Sequence, residues 1–364
     1  MAQPTDLAAR IGTVLAGTYR LDEQIGEGGM GAVFRGHDLR RGFDVAIKIL
    51  HPDYTRDPEL ARRFDREAQS AARLDHPNCI RVHGFGTADD GTKYIVMELL
   101  AGEELQRVAP GVQGWRRAID LILQVVAGLE HAHAQGLVHR DLKPANILVT
   151  RDHTGHEGVK IVDFGVAKIL HGDGAGEQMT RAGMLFGTPQ YMSPEQALGQ
   201  EIDARTDLYA VGILLHALVT GQLPFVSDDL VTLIRMQVSG EPPPLPGHVP
   251  AELAAVIQRL LAKHKEQRYP DAAALRGALE RIRDAGSPGS SKIDPTVVEL
   301  VVDPSTSGTS PATPLPAALR PRTIGLLEAM MDTAVFHRSP PQRLALVGGL
   351  LAMMLVITWW LLRG

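Results

Sequence analysis

Cysteine is nearly absent from this chain, since Cys79 is the only one among 364 residues. A single thiol excludes a disulfide within the chain and is typical of proteins from a reducing compartment. The stretch around it, DHPNCIRV, has the pattern of a chain entering a buried strand. We therefore predict a structural thiol rather than a reactive one.

An excess of basic residues is also missing, because 37 lysines and arginines stand against 42 aspartates and glutamates, for a net charge of −5. A nucleic-acid-binding protein needs a basic patch or stripe to meet phosphates, so the composition indicates no nucleic acid partner. Hydrophobic residues make up 44% of the chain, which is ordinary for a globular protein. The length exceeds what one core usually holds, which indicates a domain with extensions or several domains.

The two ends of the chain differ in character. Residues 1–18 lack the charged start and apolar core of a secretion signal, and we interpret them as an N-terminal extension. Residues 344–362, LALVGGLLAMMLVITWWLL, contain no charge and lie between Arg343 and Arg363. As a helix they measure about 28 Å, close to the hydrocarbon thickness of a bilayer. A buried core helix is the alternative, but the flanking sequence offers no core to bury it.

We therefore predict a single-pass transmembrane helix over 344–362, which anchors the chain in the inner (cytoplasmic) membrane. The adjacent tryptophans Trp359 and Trp360 stand where an interfacial aromatic belt is expected. The basic residues just before the helix are consistent with the preceding part of the chain lying in the cytoplasm. Small residues four apart, such as Ala345 and Gly349, also allow a homodimer through this helix, as a weak signal.

Between these ends, the periodicity changes along the chain. Strand-like runs come first, separated by glycine and aspartate turns, and a single helical pattern over 58–74 interrupts them. After residue 114 the apolar residues recur at helical spacing. The strand-like runs cover 19–26, 31–38, 43–50, 80–86 and 93–99, and the later helical patterns cover 115–136, 194–199, 203–219, 228–239, 251–263 and 270–283. This order predicts an α+β fold with two lobes.

Residues 285–343 are rich in Pro, Ser and Thr, and we interpret them as a disordered juxtamembrane linker. Within the linker, residues 323–336 place apolar side chains on one helical face. This stretch is open to three interpretations: contact with the membrane surface, contact with a partner, or a transient helix without a role. Its acidic residues Glu328 and Asp332 speak against anionic lipid.

The sequence GEGGMGAV has three glycines in the pattern G-x-G-x-x-G, at Gly26, Gly28 and Gly31. Alone this pattern is weak, since a tight turn would explain it as well. A dinucleotide-binding fold requires the glycines to lead from a strand into a helix. Here they lead into the strand-like run AVFRGHD, so the pattern favours a flap whose backbone N–H groups cover the phosphates of a nucleotide.

Lys48 lies in the apolar run VAIK, where an unpaired charge is expensive. Snorkelling at a strand edge would explain it without a function. The functional interpretation has Lys48 reaching phosphate oxygens, oriented by a carboxylate from the helix over 58–74. Glu67 is the best-placed carboxylate, and Asp65 is the alternative on another face of that helix.

The stretch VHRDLKPANILVT combines a carboxylate, an ammonium and an amide on one short turn. Phosphoryl transfer requires such groups for positioning and for charge neutralisation by metal. Asp141 accepts the hydrogen bond and proton of an acceptor hydroxyl, Lys143 neutralises the moving phosphoryl group, and Asn146 ligates Mg²⁺. Asp163, in VKIVDFG, supplies the carboxylate that completes an oxygen site for Mg²⁺.

These motifs, in this order, resemble the eukaryotic-type (Hanks-type) protein kinase family, and most of all its bacterial serine/threonine members. The motifs are G-x-G-x-x-G-x-V, VAIK, HRDLKPAN, DFG and GTPQYMSPE. The resemblance covers residues 19–284 and implies the bilobal protein kinase fold there, with a small β-rich lobe and a larger helical lobe.

The resemblance also implies roles for individual residues. Lys48 and Glu67 are similar to the ion pair of the small lobe, and Glu98 and Leu100 to the hinge whose backbone binds adenine. The other residues expected at the ATP site are Ile25, Gly26, Glu27, Gly28, Gly29, Gly31, Val33, Ala46 and Leu148.

In the large lobe, Glu195 and Arg268 resemble a buried ion pair, and Asp207 resembles the aspartate that braces the catalytic loop. Lys143 is the residue expected where serine and threonine are phosphorylated rather than tyrosine.

The resemblance thus implies a membrane-associated signalling enzyme that transfers the γ-phosphoryl of Mg-ATP to Ser and Thr of proteins. A catalytically silent scaffold with the same fold is the alternative, which the intact set of Lys48, Asp141, Asn146 and Asp163 disfavours. A kinase of small molecules is disfavoured by the GTPQYMSPE segment, which in the family binds peptides.

Two further hypotheses concern Arg140 and a histidine pair. Arg140 precedes the catalytic aspartate, and we interpret it as the receptor for a phosphate that autophosphorylation adds at Thr180, on the loop after Asp163. His131 and His133 have the spacing of a metal site, but packing at the end of an amphipathic helix is the favoured interpretation.

Overall fold

The computed structural model describes residues 7–28, 31–52, 57–109, 114–152, 154–164 and 189–285. All of these belong to the first of two units into which the chain divides, residues 1–293. None of the helices in these ranges is long and apolar enough to cross a membrane. The predicted span 344–362 and the stretch 323–336 lie outside the described residues.

The first lobe is built on a six-stranded sheet in which every pair of neighbouring strands is antiparallel. Its order is β1-β2-β3-β4-β6-β5. The strands are β1 (Val14–Leu15), β2 (Tyr19–Gly28), β3 (Gly31–Asp38), β4 (Phe43–Leu50), β5 (Val82–Thr87) and β6 (Lys93–Glu98). The predicted strand-like runs are confirmed to within a few residues.

One helix, α1 (Pro58–Ala71), packs on this sheet. Asp57 begins it, because its carboxylate accepts hydrogen bonds from the N–H groups of Glu59 and Leu60, which have no partner inside the helix. Phe64, fully buried, packs with Leu50 and the strand residue Ile95. This contact fixes the helix beside β4, the strand that carries Lys48.

The residues before β2 also contribute to the lobe. Leu7 and Leu15 are 4% exposed and belong to the same core cluster as Phe34 and Ile47. Leu7 begins a 3₁₀ turn, Leu7–Arg10, and β1 pairs with the start of β2. The part of the predicted extension that the structure describes therefore seals the small-lobe core.

The second lobe is mainly helical, as predicted. Its helices are α2 (Leu105–Val108), α3 (Trp115–Ala134), α4 (Pro194–Ala197), α5 (Arg205–Thr220), α6 (Leu230–Ser239), α7 (Ala251–Leu260) and α8 (Ala272–Ala285). Helix α5 is buried along most of its length, which its nearly continuous apolar sequence explains. Gly221 ends it in the left-handed conformation, at φ 74°. Helices α3 and α5 form the centre on which the catalytic residues rest.

A second, three-stranded sheet lies on this lobe, in the order β7-β8-β9. Its strands are β7 (Gly102–Glu104), β8 (Ile147–Arg151) and β9 (Glu157–Ile161). Cys79 forms a parallel bridge with Ile161. Its buried Sγ donates to Gly128 O, and burial raises its pKa to about 12, so the predicted structural thiol is confirmed.

The predicted buried ion pair of the large lobe is confirmed. Arg268 binds Glu195 through both terminal nitrogens, at 2.8 Å each, and the two side chains are 0% and 3% exposed. The hydroxyl of Thr206 donates to Glu195 Oε1 as well. Further Arg268 N–H groups donate to the carbonyls of Ala262 and Arg205. Both charges are thus fully engaged, as buried ions must be.

Candidate active site

The glycine-rich segment joins β2 to β3 as a hairpin, in which Gly28 pairs with Gly31. A Cβ at Gly31 would lie 2.0 Å from the carbonyl oxygen of Ile49, so only glycine permits this approach of β3 to β4. The two strands are joined directly, which excludes the helix that a dinucleotide fold needs, and the covering of phosphates by this hairpin stays a prediction. Gly29 lies outside the described residues.

Flanking that turn, Gly26 pairs with Val33 and Glu27 pairs with Ala32. Ile25 is 47% exposed, although it is a large apolar side chain. An exposed isoleucine beside the glycine hairpin fits the prediction that Ile25 contacts a bound nucleotide.

Lys48 lies in the centre of β4, paired with Val33 on one side and Ile95 on the other. Its side chain is nearly buried, and Nζ donates to Asp163 Oδ1 at 2.8 Å. Burial disfavours the Asp163 carboxylate, but the charge and hydrogen bond of Lys48 more than offset it, so the pKa of Asp163 lies below its usual value. This contact joins the two lobes across the cleft.

The two candidate carboxylates of α1 have different surroundings. Asp65 accepts both of its hydrogen bonds from Lys93 Nζ, at 2.8 and 2.7 Å, so it is engaged on the side of the sheet edge. Glu67 is 8% exposed, which fits the preference for it over Asp65. The contact that the structure gives Lys48 is with Asp163, and its ion pair with Glu67 stays a prediction.

An apolar cluster lies beside Lys48, and we call it the apolar pocket because adenine is expected there. Ala46, Ile80 and Met97 are its buried core. Val33, Leu99, Leu100 and Val162 pack against them, partly buried. Of the predicted adenine contacts, the structure brings Val33, Ala46 and Leu100 together here, whereas Leu148 lies half-buried in β8, outside this cluster.

Glu98, at the end of β6, is held from both lobes. Its Oε1 accepts from the backbone N–H of Arg81 at 2.7 Å and from Lys160 Nζ at 2.5 Å. Lys160 belongs to β9 of the large lobe and also donates to Cys79 O. The side chain of Glu98 thus fixes the connection between the lobes. Its main-chain N–H donates to Arg81 O at 2.9 Å, and the predicted contact of its main chain with adenine stays a prediction.

The predicted catalytic turn is formed as the sequence indicated. Lys143 Nζ donates to Asp141 Oδ2 at 2.7 Å. Asn146 Nδ2 donates to the carbonyl of Asp141 at 2.8 Å and to its Oδ2 at 3.3 Å. Asp141 is 25% exposed on its side chain, so it remains accessible from solvent.

Asp207 of α5 holds the main chain of the catalytic turn in place. Its carboxylate, 1% exposed, accepts the N–H groups of His139 and Arg140 at 2.8 Å each, and His133 Nε2 at 2.8 Å. Burial disfavours the charge, but these hydrogen bonds outweigh it and hold the pKa of Asp207 below its usual value. Arg140 has φ 68°, which is a strained backbone conformation. It persists because Asp207 holds both the N–H group of Arg140 and that of His139.

His133 therefore serves this brace, which confirms packing over a metal site. The structure shows no cluster of three or more His, Cys, Asp or Glu suited to a metal within the described ranges. His131, the other member of the pair, accepts from Asp75 N and stacks on His76.

The two predicted metal ligands are brought together by main-chain contacts. Val162 N donates to Asn146 O at 2.9 Å, so the residue before Asp163 is bonded to the turn that carries Asn146. His139 donates through Nε2 to Val162 O at 3.0 Å and packs against Phe164. Asp163 itself has φ 59°, a strained left-handed conformation for a residue other than glycine.

The donor set suits Mg²⁺. Asn146 uses Nδ2 on Asp141, so its Oδ1 is the end that faces away from that contact. Asp163 uses Oδ1 on Lys48 and is ionised, which leaves Oδ2 as a charged ligand. Mg²⁺ binds through one or two such oxygens together with substrate phosphates and water. Asn146 and Asp163 would hold the ion between the catalytic turn and Lys48.

Some functional residues were missed by the sequence analysis. Ile80 and Val162 line the apolar pocket, and Lys160 holds Glu98. Val162 had a signal, since it directly precedes Asp163 in an apolar strand. The other two contribute through tertiary contacts that no local pattern reveals. Thr180 and the threonine of the GTP motif, Thr188, lie outside the described residues.

Comparison with known proteins agrees with this geometry. The model of the protein kinase domain family matches residues 19–277. The chain is 42% identical over 281 residues to the serine/threonine-protein kinase pkn3 of Myxococcus xanthus, a match that covers 75% of this chain and 51% of that protein. It is 39% identical over 288 residues to the serine/threonine-protein kinase PknA of Mycobacterium tuberculosis, covering 78% and 65%. The match thus spans between half and two thirds of these relatives.

Solved structures show the same architecture. The crystal structure of the PknI kinase domain of Mycobacterium tuberculosis superposes with a TM-score of 0.58 at 27% identity, covering 75% of this chain and 98% of that one. A double mutant of the same domain gives 0.58 at 26% identity, covering 78% and 100%.

Proposed function

The chain belongs to the protein kinase family, and on that premise we propose that it transfers the γ-phosphoryl of Mg-ATP to Ser and Thr hydroxyls of proteins. One observation carries the proposal: Asp141, Lys143 and Asn146 share one hydrogen-bonded turn, and Asp163 joins that turn to Lys48. A base, two phosphate-directed cations and two oxygen ligands for Mg²⁺ thus border a single cleft. These are the parts that phosphoryl transfer requires.

Each part has a task that follows from its contacts. The apolar pocket around Ala46 and Met97 receives the adenine ring, and the hairpin at Gly28 and Gly31 lies over the phosphates. Lys48 binds phosphate oxygens from the small lobe. Asn146 and Asp163 would hold Mg²⁺, which would supply positive charge to neutralise the transferred group.

Asp141 orients the acceptor hydroxyl and takes its proton. Its Oδ2 is occupied by Lys143, and its main-chain carbonyl by Asn146, so the carboxylate has a fixed direction. Lys143 lies on the side from which the phosphoryl group arrives, where its ammonium stabilises the negative charge in transit. Both act by position and charge rather than through a covalent intermediate.

Peptides that differ only at the acceptor residue test this proposal. We expect the full chain to transfer label from ATP to peptides with Ser or Thr, and to leave the peptide with Tyr unlabelled. Lys143, which the resemblance associates with Ser and Thr acceptors, supports this expectation. Equal labelling of all three peptides would contradict the Ser/Thr assignment.

The alternative, a silent scaffold that binds nucleotide or partners without turnover, is not favoured. A scaffold needs the apolar pocket but not the ordered contacts of Asp141 with Lys143 and Asn146. The strained φ of Arg140 and Asp163 would also serve no purpose there, since such strain persists where a function requires it.

Activation through autophosphorylation at Thr180 is part of the proposal. Arg140 supports it, because its Nε is buried and meets no hydrogen-bond partner among the described residues. An unsatisfied guanidinium N–H next to the catalytic aspartate is suited to receive a phosphate. Phosphopeptide mapping of the active enzyme should find phosphate on Thr180, and an unmodified Thr180 in fully active protein would refute the assignment.

Anchoring in the inner membrane through residues 344–362 completes the proposal, with the catalytic domain in the cytoplasm and a homodimer through the anchor as a possible assembly. Its support is the uncharged stretch between Arg343 and Arg363. Deletion of 344–362 should move the protein from the membrane fraction to the soluble fraction of the cell. Retention of the deleted form in the membrane would contradict the anchor.

A further inference from the structure

A short segment of the large lobe lies directly beside the catalytic turn. Residues 189–191 form a 3₁₀ turn and lead to Ser193, which begins α4 with its hydroxyl on Gln196 N. Gln196 Nε2 in turn donates to Arg140 O at 2.7 Å, next to Asp141. This hydrogen bond ties the segment that begins at residue 189 to the catalytic turn. We call residues 189–191 the shelf.

The shelf is held by one buried amide from helix α6. Gln237 is 0% exposed, and its Nε2 donates to two consecutive shelf carbonyls, Pro189 O at 3.2 Å and Gln190 O at 2.7 Å. Its Oε1 accepts from the hydroxyl of Tyr209 at 2.6 Å. The amide nitrogen and the amide oxygen of Gln237 both form hydrogen bonds, so the burial of this polar side chain is compensated. The amide supports both shelf carbonyls.

Lys263 sets the direction of the Gln237 amide through the hydroxyl of Tyr209. Its Nζ donates to the hydroxyl of Tyr209 at 3.2 Å and to the carbonyls of Met236 and Gln237 at 3.1 and 2.9 Å. An ammonium only donates, so the Tyr209 oxygen must accept from it and point its own hydrogen at Gln237 Oε1. The two N–H bonds of Gln237 then have to face the shelf.

Lys263 owes its role to these acceptors rather than to an ion pair. Within the part of the chain that the structure describes, no carboxylate lies at salt-bridge distance from its Nζ. It lies 4.0 Å from the centre of the Phe225 ring. Burial, together with the nearby charge of Arg268, lowers its pKa to about 8. The buried ammonium of Lys263 thus orders a chain of hydrogen bonds that runs through Tyr209 and Gln237 to the shelf.

We infer that Gln237 is a positioning residue for protein substrates: it fixes the shelf carbonyls of Pro189 and Gln190 so that a peptide lies across Asp141. The inference rests on the proposed function and adds how the acceptor chain is aligned. Gln237 acts on the peptide and not on ATP, because its contacts are with the shelf, and the nucleotide pocket is built from Ala46, Met97 and their neighbours.

Gln237→Leu tests the inference, since leucine has a similar volume and no polar group. With a Ser-containing peptide as substrate, we expect KM for the peptide to rise about tenfold, as two buried hydrogen bonds are lost. KM for ATP and the rate of ATP hydrolysis without peptide should stay unchanged. Gln258→Leu, at an exposed position of α7, is the matched control and should leave all three values unchanged.

Tyr209→Phe provides a second test if Gln237→Leu does not fold. It keeps the ring and removes only the hydroxyl that orients the amide, so KM for the peptide should rise about threefold. A folded variant with an unchanged KM for the peptide overturns the inference, and so does an equal rise in KM for ATP, which indicates general loosening. If the wild type phosphorylates no peptide, the proposed function fails instead, which separates the two failures.

Discussion

Replacement of Asp141 by asparagine is expected to lower kcat for phosphoryl transfer by about 10²–10⁴, because the proton acceptor for the substrate hydroxyl is lost. Asparagine has nearly the same shape, so Lys143 and Asn146 keep a partner at this position. The affinity for ATP should stay unchanged, since Asp141 contacts neither Lys48 nor the apolar pocket. Steady-state kinetics with a Ser-containing peptide, together with an ATP-binding titration, measure both quantities.

Asp120→Asn is a suitable control, because Asp120 is an exposed residue of α3 that lies on the surface of the large lobe. Its kcat should equal that of the wild type. If Asp141→Asn retained a tenth or more of the wild-type kcat with ATP still bound, the base would have to be another group, and the role of the catalytic turn would be wrong.

Replacement of Arg268 by alanine is expected to lower the free energy of unfolding by about 3–5 kcal/mol, because Glu195 would stay buried without its countercharge. Arg268 and Glu195 are joined by two hydrogen bonds of 2.8 Å, and both side chains are almost completely buried. The loss of one partner should therefore cost more than it does in an exposed ion pair. Native proteins have only about 5–15 kcal/mol of stability, so the variant should be close to unfolded at ordinary temperature. Urea-induced unfolding, followed by fluorescence, measures the loss.

The surface pair Arg276–Glu130 offers a matched comparison. These side chains are 43% and 35% exposed, so Arg276→Ala should cost no more than about 1 kcal/mol. Should Arg268→Ala yield no folded protein, Arg268→Lys keeps the charge and loses the two-pronged geometry, and a smaller loss is expected. A cost below 1 kcal/mol for Arg268→Ala would show that water or another cation reaches Glu195.

Much of the architecture could be predicted, because the spacing of apolar residues that marks a strand or a helix is visible within a short stretch of sequence. The change from strand-like runs to helical spacing after residue 114 places the two lobes, and α8 follows from its apolar periodicity. The small sheet was largely missed, because β7 has three residues, GEE, and none is apolar. Its strand character comes from pairing with β8, which no pattern within β7 reveals.

The candidate site was predictable to the extent that its residues lie in short motifs. Asp141, Lys143 and Asn146 are neighbours in sequence, and the structure joins them by direct hydrogen bonds. The contact of Lys48 with Asp163 was not predicted, because the two residues lie far apart in sequence and the expected partner was Glu67, a pair that stays a prediction. The structure places the ammonium on Asp163, at 2.8 Å.

Two supports of the site depend wholly on tertiary contacts. Gln237 lies in an ordinary amphipathic helix, and its burial against Pro189 and Gln190 becomes visible only when α6 is in place. Leu7 and Leu15 likewise reach the small-lobe core from a segment that its sequence marks as an extension. Local pattern does not encode which distant surface such residues meet.

The central claim is tested most directly by supplying the full chain with Mg²⁺ and ATP labelled either at the γ or at the α phosphate, followed by identification of labelled amino acids. We expect label on serine and threonine from γ-labelled ATP alone, because the proposed reaction transfers only the terminal phosphoryl to the hydroxyl that Asp141 orients. Well-folded protein that binds ATP but takes up no label would contradict the account and favour a scaffold. Label from α-labelled ATP would point to a different transfer reaction.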